Sequence, residues 1–125
     1  MPNVVTASRA IRAEARTATA AGTTTGQVSV GTDYVTVTCD DVNKIITLPD
    51  SPLGTRITLV NGATGYELRT TDPTTIGING GTGAAAESAV AASTTVWVQR
   101  VTATNWNGWS RIANGTLAVV EVAAP

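Results

Sequence analysis

Short runs in which β-branched residues alternate with polar ones restrict the fold of this 125-residue chain more than any other feature. In Tyr34–Thr38, Val35 and Val37 share one face while the tyrosine and the threonines share the other. The same period of two recurs in Arg56–Val60 and Thr94–Thr102. Valine, isoleucine and threonine pack well on a pleated sheet and lose rotamer freedom in a helix, so these runs predict β-strands.

Turn signals such as Asn61-Gly62 and Asn114-Gly115 divide the chain between these runs. They recur about every 8–12 residues, which is typical of sandwiches, jelly rolls and barrels. Strands do not alternate with helical patterns, which argues against a Rossmann or TIM architecture. We therefore predict an all-β fold for residues 27–125, an antiparallel sandwich or jelly-roll-like domain of about eight or nine strands.

The first 26 residues differ in composition from the rest of the chain. Ile11 is the only large apolar residue between positions 7 and 21, so this segment has too little apolar surface to anchor itself to a core. We interpret residues 1–26 as an extended N-terminal arm that is ordered against a partner, with a plain disordered terminus as the alternative. The arm is basic and the remainder acidic, the arm's charged residues being Arg9, Arg12 and Arg16 against Glu14.

Residues that would support catalysis are scarce. The chain has no histidine, the commonest general base and metal ligand, and Cys39, its only cysteine, therefore has no imidazole to activate it. Asp40 and Asp41 match no calcium-loop spacing, and the glycine-rich run at 80–83 lacks the lysine of a phosphate-binding loop. We predict that the protein is not an enzyme and holds no cofactor or metal.

Charge and hydropathy also restrict the partners. The net charge is −1, so no strong field attracts nucleic acid, and no apolar run reaches the roughly 18 residues of a membrane span. The single cysteine permits no intrachain disulfide, which fits synthesis in a reducing cytoplasm. Only 14% of the residues are charged, below the typical ~25%, and such a surface suits packing against other protein subunits.

Three tryptophans carry most of the aromatic volume, because the chain has no phenylalanine. We assign Trp97, Trp106 and Trp109 to core or trimer packing, and the first two to the core in particular. The place of Trp109 depends on Asn107-Gly108. That dipeptide could form a two-residue hairpin turn, or a bulge within one strand whose real turn lies at residues 102–105.

Several short motifs follow one another in a distinctive order. A strand ending Ile46-Thr47-Leu48-Pro49 precedes Gly54, the strand Arg56–Val60 and then Asn61. The glycine-rich loop at 77–83 precedes a closing Thr104-Asn105-Trp106. This order, over about residues 28–112, resembles small β-domains of bacteriophage structural proteins, which occur in tail-fibre heads and capsid decoration proteins. The resemblance implies a sandwich or jelly roll that assembles as a trimer.

The resemblance implies no catalytic residue and no cofactor. The chain has no room for a fibre shaft, which favours a capsid decoration, or cement, protein that binds the major capsid protein on the virion exterior as a homotrimer. The alternative is a receptor- or glycan-binding head of a tail fibre or spike, and a small hydrolase is the least favoured class. The expected capsid contact is the arm, through Arg9, Ile11, Arg12 and Arg16.

Overall fold

The computed structural model describes residues 10–124, which contain ten β-strands, a 3-10 turn at Thr24–Gly26 and no α-helix. The prediction of an all-β chain is confirmed. The strands are β1 (Ala13–Thr17), β2 (Tyr34–Thr38), β3 (Ile45–Thr47), β4 (Arg56–Asn61), β5 (Tyr66–Arg69), β6 (Gly77–Ile78), β7 (Ser88–Val90), β8 (Thr95–Thr102), β9 (Asn105–Arg111) and β10 (Leu117–Val119).

The strands form two mixed sheets. The large sheet has the order β1-β2-β4-β8-β9-β10, with β6 also paired to β9, and the small sheet has the order β3-β5-β7. Strands β1, β2 and β4 run parallel to one another, as do β3 and β5, whereas β4, β8, β9 and β10 alternate in direction. The expectation of a wholly antiparallel domain is therefore corrected to a mixed one.

The parallel pairs arise because the chain winds repeatedly between the two sheets. Ala13 pairs with Tyr34, 21 residues later, in the large sheet. Thr47 pairs with Arg69, 22 residues later, in the small sheet, and a bridge joins Gln27 to Thr47 one turn earlier. Parallel neighbours need a long crossover connection, and here a pass through the opposite sheet supplies it instead of a helix. The first part of the domain is thus built like a short solenoid that β8, β9 and β10 close.

Within residues 10–124, residues of both sheets form one hydrophobic cluster, an arrangement compatible with a β-sandwich. The alternation seen in the sequence decides which side chains enter it, since β2 and β4 each bury every second residue. Trp106 is the largest side chain buried in it and is 1% exposed. The other largest buried side chains are Tyr66, Ile46, Leu48, Ile57, Leu59, Leu68, Ile78, Val28, Val35, Val96 and Val98.

Residues 10–26 are part of this domain, which corrects their interpretation as an arm outside the fold. Strand β1 pairs with β2 along its whole length, and Ala18 is a core residue at 2% exposure. Gly22 packs directly on Ile45 and Thr47 of the small sheet. Backbone pairing and small residues hold this segment, so it needs no large apolar anchor. Residues 1–9, including Arg9, lie outside the described residues.

Candidate functional site

A row of uncharged side chains crosses the outer face of the large sheet. The pairing registers align one outward residue from each of six strands. Trp109 is 44% exposed and Tyr34 37% exposed, while Trp97 between them is half-buried. We call this set the aromatic row; its members are Ala13, Tyr34, Thr58, Trp97, Trp109 and Val119.

A shallow groove lies at the centre of this row. Trp97 and Trp109 stand directly opposite each other on the antiparallel strands β8 and β9. Arg56, Gln99 and Leu117 line the groove beside them. Facing aromatic residues on neighbouring strands stabilise each other, so the two indoles form a firm floor. We call this feature the aromatic groove.

The outer face of the large sheet is positively charged. The outward positions of its six strands β1, β2, β4, β8, β9 and β10 hold two arginines, Arg56 and Arg111, and no carboxylate. Neither arginine forms an ion pair with any residue in the part of the chain that the structure describes. Both guanidinium groups are therefore open to an anionic ligand.

The small sheet differs, because the outward positions of β5 hold both Glu67 and Arg69. Burial, and then repulsion from Glu87 and Glu121, raises the pKa of the Glu67 carboxyl. No group of three or more His, Cys, Asp or Glu residues within 10–124 is arranged to hold a metal ion. The small sheet thus carries charges of both signs, whereas the outward strand positions of the large sheet carry only the two arginines.

The three tryptophans divide between the core and the surface. Trp106 is in the core, as predicted, whereas Trp97 is not, because Val96 and Val98 on either side of it take the inward positions of β8. Trp109 lies outside as well. The hairpin turn falls between β8 and β9 at residues 103–104, and a register irregularity lies between residues 100 and 102, so Asn107-Gly108 continues one strand.

Arg100, which neighbours these tryptophans in sequence, is an interior residue. It is 6% exposed, and its guanidinium lies over the Trp106 ring, 5.9 Å from the centroid. The same group donates to the carbonyl oxygens of Ser51 and Thr102 and pairs with the Asp50 carboxylate at 3.2 Å. Arg100 thus ties the β8–β9 hairpin to the loop before β4, and it does not contribute to the outer surface.

The predicted arm residues have separate roles. The Arg16 guanidinium binds Glu14 through two hydrogen bonds of 3.0 Å and also donates to Ser29, so it is engaged within the domain. The backbone N–H of Arg12 donates to the Asp33 carboxylate. Ile11 is 79% exposed and is available for contact. Ile11 and Arg12 are thus exposed beside β1, whereas Arg16 is half-buried and paired with Glu14; the contact of these residues with a capsid stays a prediction.

The Glu14–Arg16 pair predicts a specific acid sensitivity. Hydrogen bonding from Arg16 lowers the pKa of Glu14 from 4.5 to about 2. A carboxyl group whose pKa is lowered in the folded state stabilises the fold at pH values above its ordinary pKa. This contribution is lost as the pH falls from about 4.5 through 2. After allowance for solvent screening, we expect Glu14→Gln to lower the free energy of unfolding by about 1–2 kcal/mol at pH 6 and by almost nothing at pH 2.

Urea unfolding of the wild type and of Glu14→Gln at several pH values measures this difference in the free energy of unfolding. The opposite contribution of Glu67, whose pKa is raised, is common to both proteins and cancels. Asp41→Asn, at an exposed position, is the control and should change little at any pH. A Glu14→Gln deficit that stayed constant down to pH 2 would contradict the ion pair as its cause.

Three large aliphatic side chains are exposed at the end where the chain enters the parallel strands. Ile11 precedes β1, Val30 precedes β2 and Leu53 precedes β4, each by two to four residues. Their exposures are 79%, 60% and 64%. Parallel strands begin at the same end of a sheet, so successive turns of the chain bring these residues to one end of the domain. We call them the entry ridge.

Comparisons of the chain with protein-family models, with curated proteins and with solved structures found no match. Within residues 10–124, no helix has the length and apolar character needed to cross a membrane. Two surfaces of this chain, the entry ridge and the aromatic groove, are the candidate functional sites.

Sequence reasoning had named Ile11, Trp97 and Trp109 but did not connect them with the other residues of these surfaces. Val30 and Leu53 fall in turns, where a single aliphatic residue gives no periodic signal. Arg56 and Gln99 meet the tryptophans only through the pairing of β4 with β8. The available signal was the alternation in β8, which places Trp97 outward once Val96 and Val98 are assigned to the core.

Proposed function

We propose that this chain is a structural protein of a bacteriophage virion that decorates the outside of the capsid as a homotrimer. The entry ridge is the observation that carries this proposal. Three aliphatic side chains are exposed at one end of a small domain, and their burial against another protein favours binding. Arg12, which is exposed between Ile11 and β1, lies beside the ridge and can add a charged contact with the capsid.

Decoration stabilises a capsid by mass action. A protein that binds the assembled shell and not its separated subunits stabilises the shell by RT ln(1 + [L]/Kd). A trimer presents three ridges at once, so each individual contact can be weak while the whole remains bound. The low charge of the chain, 14% of its residues, limits repulsion between neighbouring copies.

The test combines oligomeric mass with capsid binding. Light scattering at micromolar concentration should give the mass of a trimer, and a monomer mass would contradict the proposed assembly. Ile11→Thr, Val30→Thr and Leu53→Ser together should weaken co-sedimentation with capsids at least about tenfold, because each lost aliphatic contact is worth about 1 kcal/mol or more. Tryptophan fluorescence should report an unchanged fold, since all three side chains are exposed.

A matched control uses exposed valines away from the ridge. Val42 and Val122 are 55% and 54% exposed, and Val42→Thr with Val122→Thr should leave capsid binding unchanged. Full binding by the ridge variant would show that another surface meets the capsid. Equal loss in the control variant would also refute the ridge as the specific contact.

The aromatic groove favours a second candidate function, a receptor- or glycan-binding head of a tail fibre or spike. Solvent-exposed indole next to arginine and amide side chains is a common arrangement in ligand sites. Binding to host cells without binding to capsids would favour this candidate over decoration.

A further inference from the structure

We propose that the aromatic groove on the outer face of the large sheet binds a carbohydrate that carries carboxylate groups. This inference concerns a different surface from the entry ridge and does not depend on capsid attachment. It deepens the second candidate function by naming the chemistry of the ligand. The groove is lined on the outer face by Trp97, Trp109, Leu117, Gln99, Arg56 and Thr58, with the inward-facing Ile57 and Val98 beneath.

The indole rings favour a sugar over other ligands of similar size. A pyranose ring has an apolar C–H face, which packs on a flat aromatic surface, and a polar edge of hydroxyl groups. Trp109 is 44% exposed beside the half-buried Trp97, and Leu117, 71% exposed, forms an apolar wall. Burial of an aromatic side chain against a ligand gives a large apolar contact at low entropic cost.

Amide side chains lie where hydroxyl groups would need partners. Gln99 pairs in register with Arg56 on one side and with Asn107 on the other, so the three side chains cross the sheet in one row. This row is next to the aromatic row on the same face. An amide offers both a donor and an acceptor, which matches the dual character of a hydroxyl group. Recognition sites combine such apolar floors with a few placed polar groups.

Charge makes the preferred sugar an acidic one. Arg56 and Arg111 are on either side of the aromatic row, and the outward positions of the six strands hold no carboxylate. A guanidinium group binds a carboxylate through two parallel hydrogen bonds. A second copy of the same face would place arginine against arginine with no anion between them, so self-association through this face is disfavoured.

The groove is also held rigidly. Strands β8 and β9 are in the interior of the sheet, with β4 on one side and β10 on the other. The Asn79 side chain accepts from the Gly108 N–H at 2.9 Å and donates to the Gly108 carbonyl at 3.0 Å, next to Trp109. On the inner face of the sheet, Arg100 holds the β8–β9 hairpin by donating to the carbonyl oxygens of Thr102 and Ser51. A site that is already ordered loses little entropy on binding.

The experiment uses the full chain and two oligosaccharides of equal length, one built of hexuronic acid and one of neutral hexose. Calorimetry at low salt should show tighter binding of the uronic acid oligomer, by at least about fivefold, and this preference should shrink as salt is added. Trp109→Ala should weaken binding at least about tenfold, consistent with the loss of one aromatic stacking contact. Arg56→Gln should reduce the preference for the acidic oligomer, because only Arg111 then remains beside the aromatic row, and should leave binding of the neutral oligomer almost unchanged.

Arg69→Gln is the matched control, because Arg69 is on the small sheet, outside the groove. It should bind both oligomers as the wild type does. Equal affinity of the wild type for acidic and neutral oligomers, or no binding of either, would overturn the proposal. A Trp109→Ala variant with a changed oligomeric mass would assign the face to a second copy and would overturn it as well.

The two proposals can fail separately. The entry-ridge variant should bind the uronic acid oligomer normally even if it no longer pellets with capsids. Trp109→Ala should pellet with capsids normally even if it no longer binds sugar. Loss of both functions in both variants, with altered fluorescence or circular dichroism, would show misfolding. Trp109→Phe keeps an aromatic floor and should then restore sugar binding. A folded Trp109→Phe variant that does not bind sugar would refute the stacking role.

Discussion

Replacing Trp106 with alanine is expected to lower the free energy of unfolding by about 3–5 kcal/mol. The side chain is 1% exposed in the hydrophobic cluster of residues 10–124, and it is the largest buried there. Its removal leaves a cavity that the paired strands on both sides prevent from closing, and it exposes the buried Arg100 guanidinium to that cavity. Urea unfolding followed by far-ultraviolet circular dichroism measures the change without relying on tryptophan emission.

Trp97→Ala is the matched comparison on the opposite face of the same hairpin. Trp97 is half-buried in the aromatic row, so we expect a loss below about 1.5 kcal/mol, in the range of a cross-strand aromatic pair. If Trp106→Ala does not fold, Trp106→Leu retains part of the volume and should show an intermediate loss. Equal losses at positions 97 and 106 would contradict the assignment of the two side chains to opposite faces.

Gly22→Ala is expected to lower the free energy of unfolding by about 2–4 kcal/mol, from overpacking and from an unfavourable backbone conformation. Gly22 has φ of +69°, which L-residues rarely adopt, and a Cβ at this position would be 2.6 Å from Ile45 Cγ2 and still closer to Thr47 Oγ1. Both neighbours belong to strand β3, which is flanked by paired backbone, so neither can move aside without disturbing the small sheet.

Gly62→Ala is the control for this substitution. A Cβ at Gly62 meets nothing within 4 Å, and the backbone at this position does not require glycine. The free energy of unfolding of Gly62→Ala should therefore change by less than about 1 kcal/mol. The same urea unfolding measurement applies. An unchanged stability in Gly22→Ala would contradict the packing of residues 18–26 on the small sheet and would favour their interpretation as a separate arm.

Several strands were predictable because their pattern is local. The alternation in Tyr34–Thr38 and Arg56–Val60 gave both the strand and the buried face, and the structure buries the predicted valines, isoleucine and leucine. Strand β1 was missed, since its inward positions are Glu14 and Arg16, and these satisfy each other at the sheet edge instead of entering the core. The sequence gives no signal for strand β7 either, because its three residues lie in a run of alanines and serines without a clear alternation.

The sequence alone determined the period of two, and this period decides which side of a strand each residue occupies. This period was enough to predict an all-β chain and to place Val96 and Val98 on the face opposite Trp97. The tertiary structure decided the direction and order of the strands. A period of two is the same in parallel and antiparallel pairs, and the choice here depends on the crossover through the opposite sheet. That choice brings Arg56 of β4 beside Trp109 of β9, with β8 between them, because strand order sets which distant residues become neighbours.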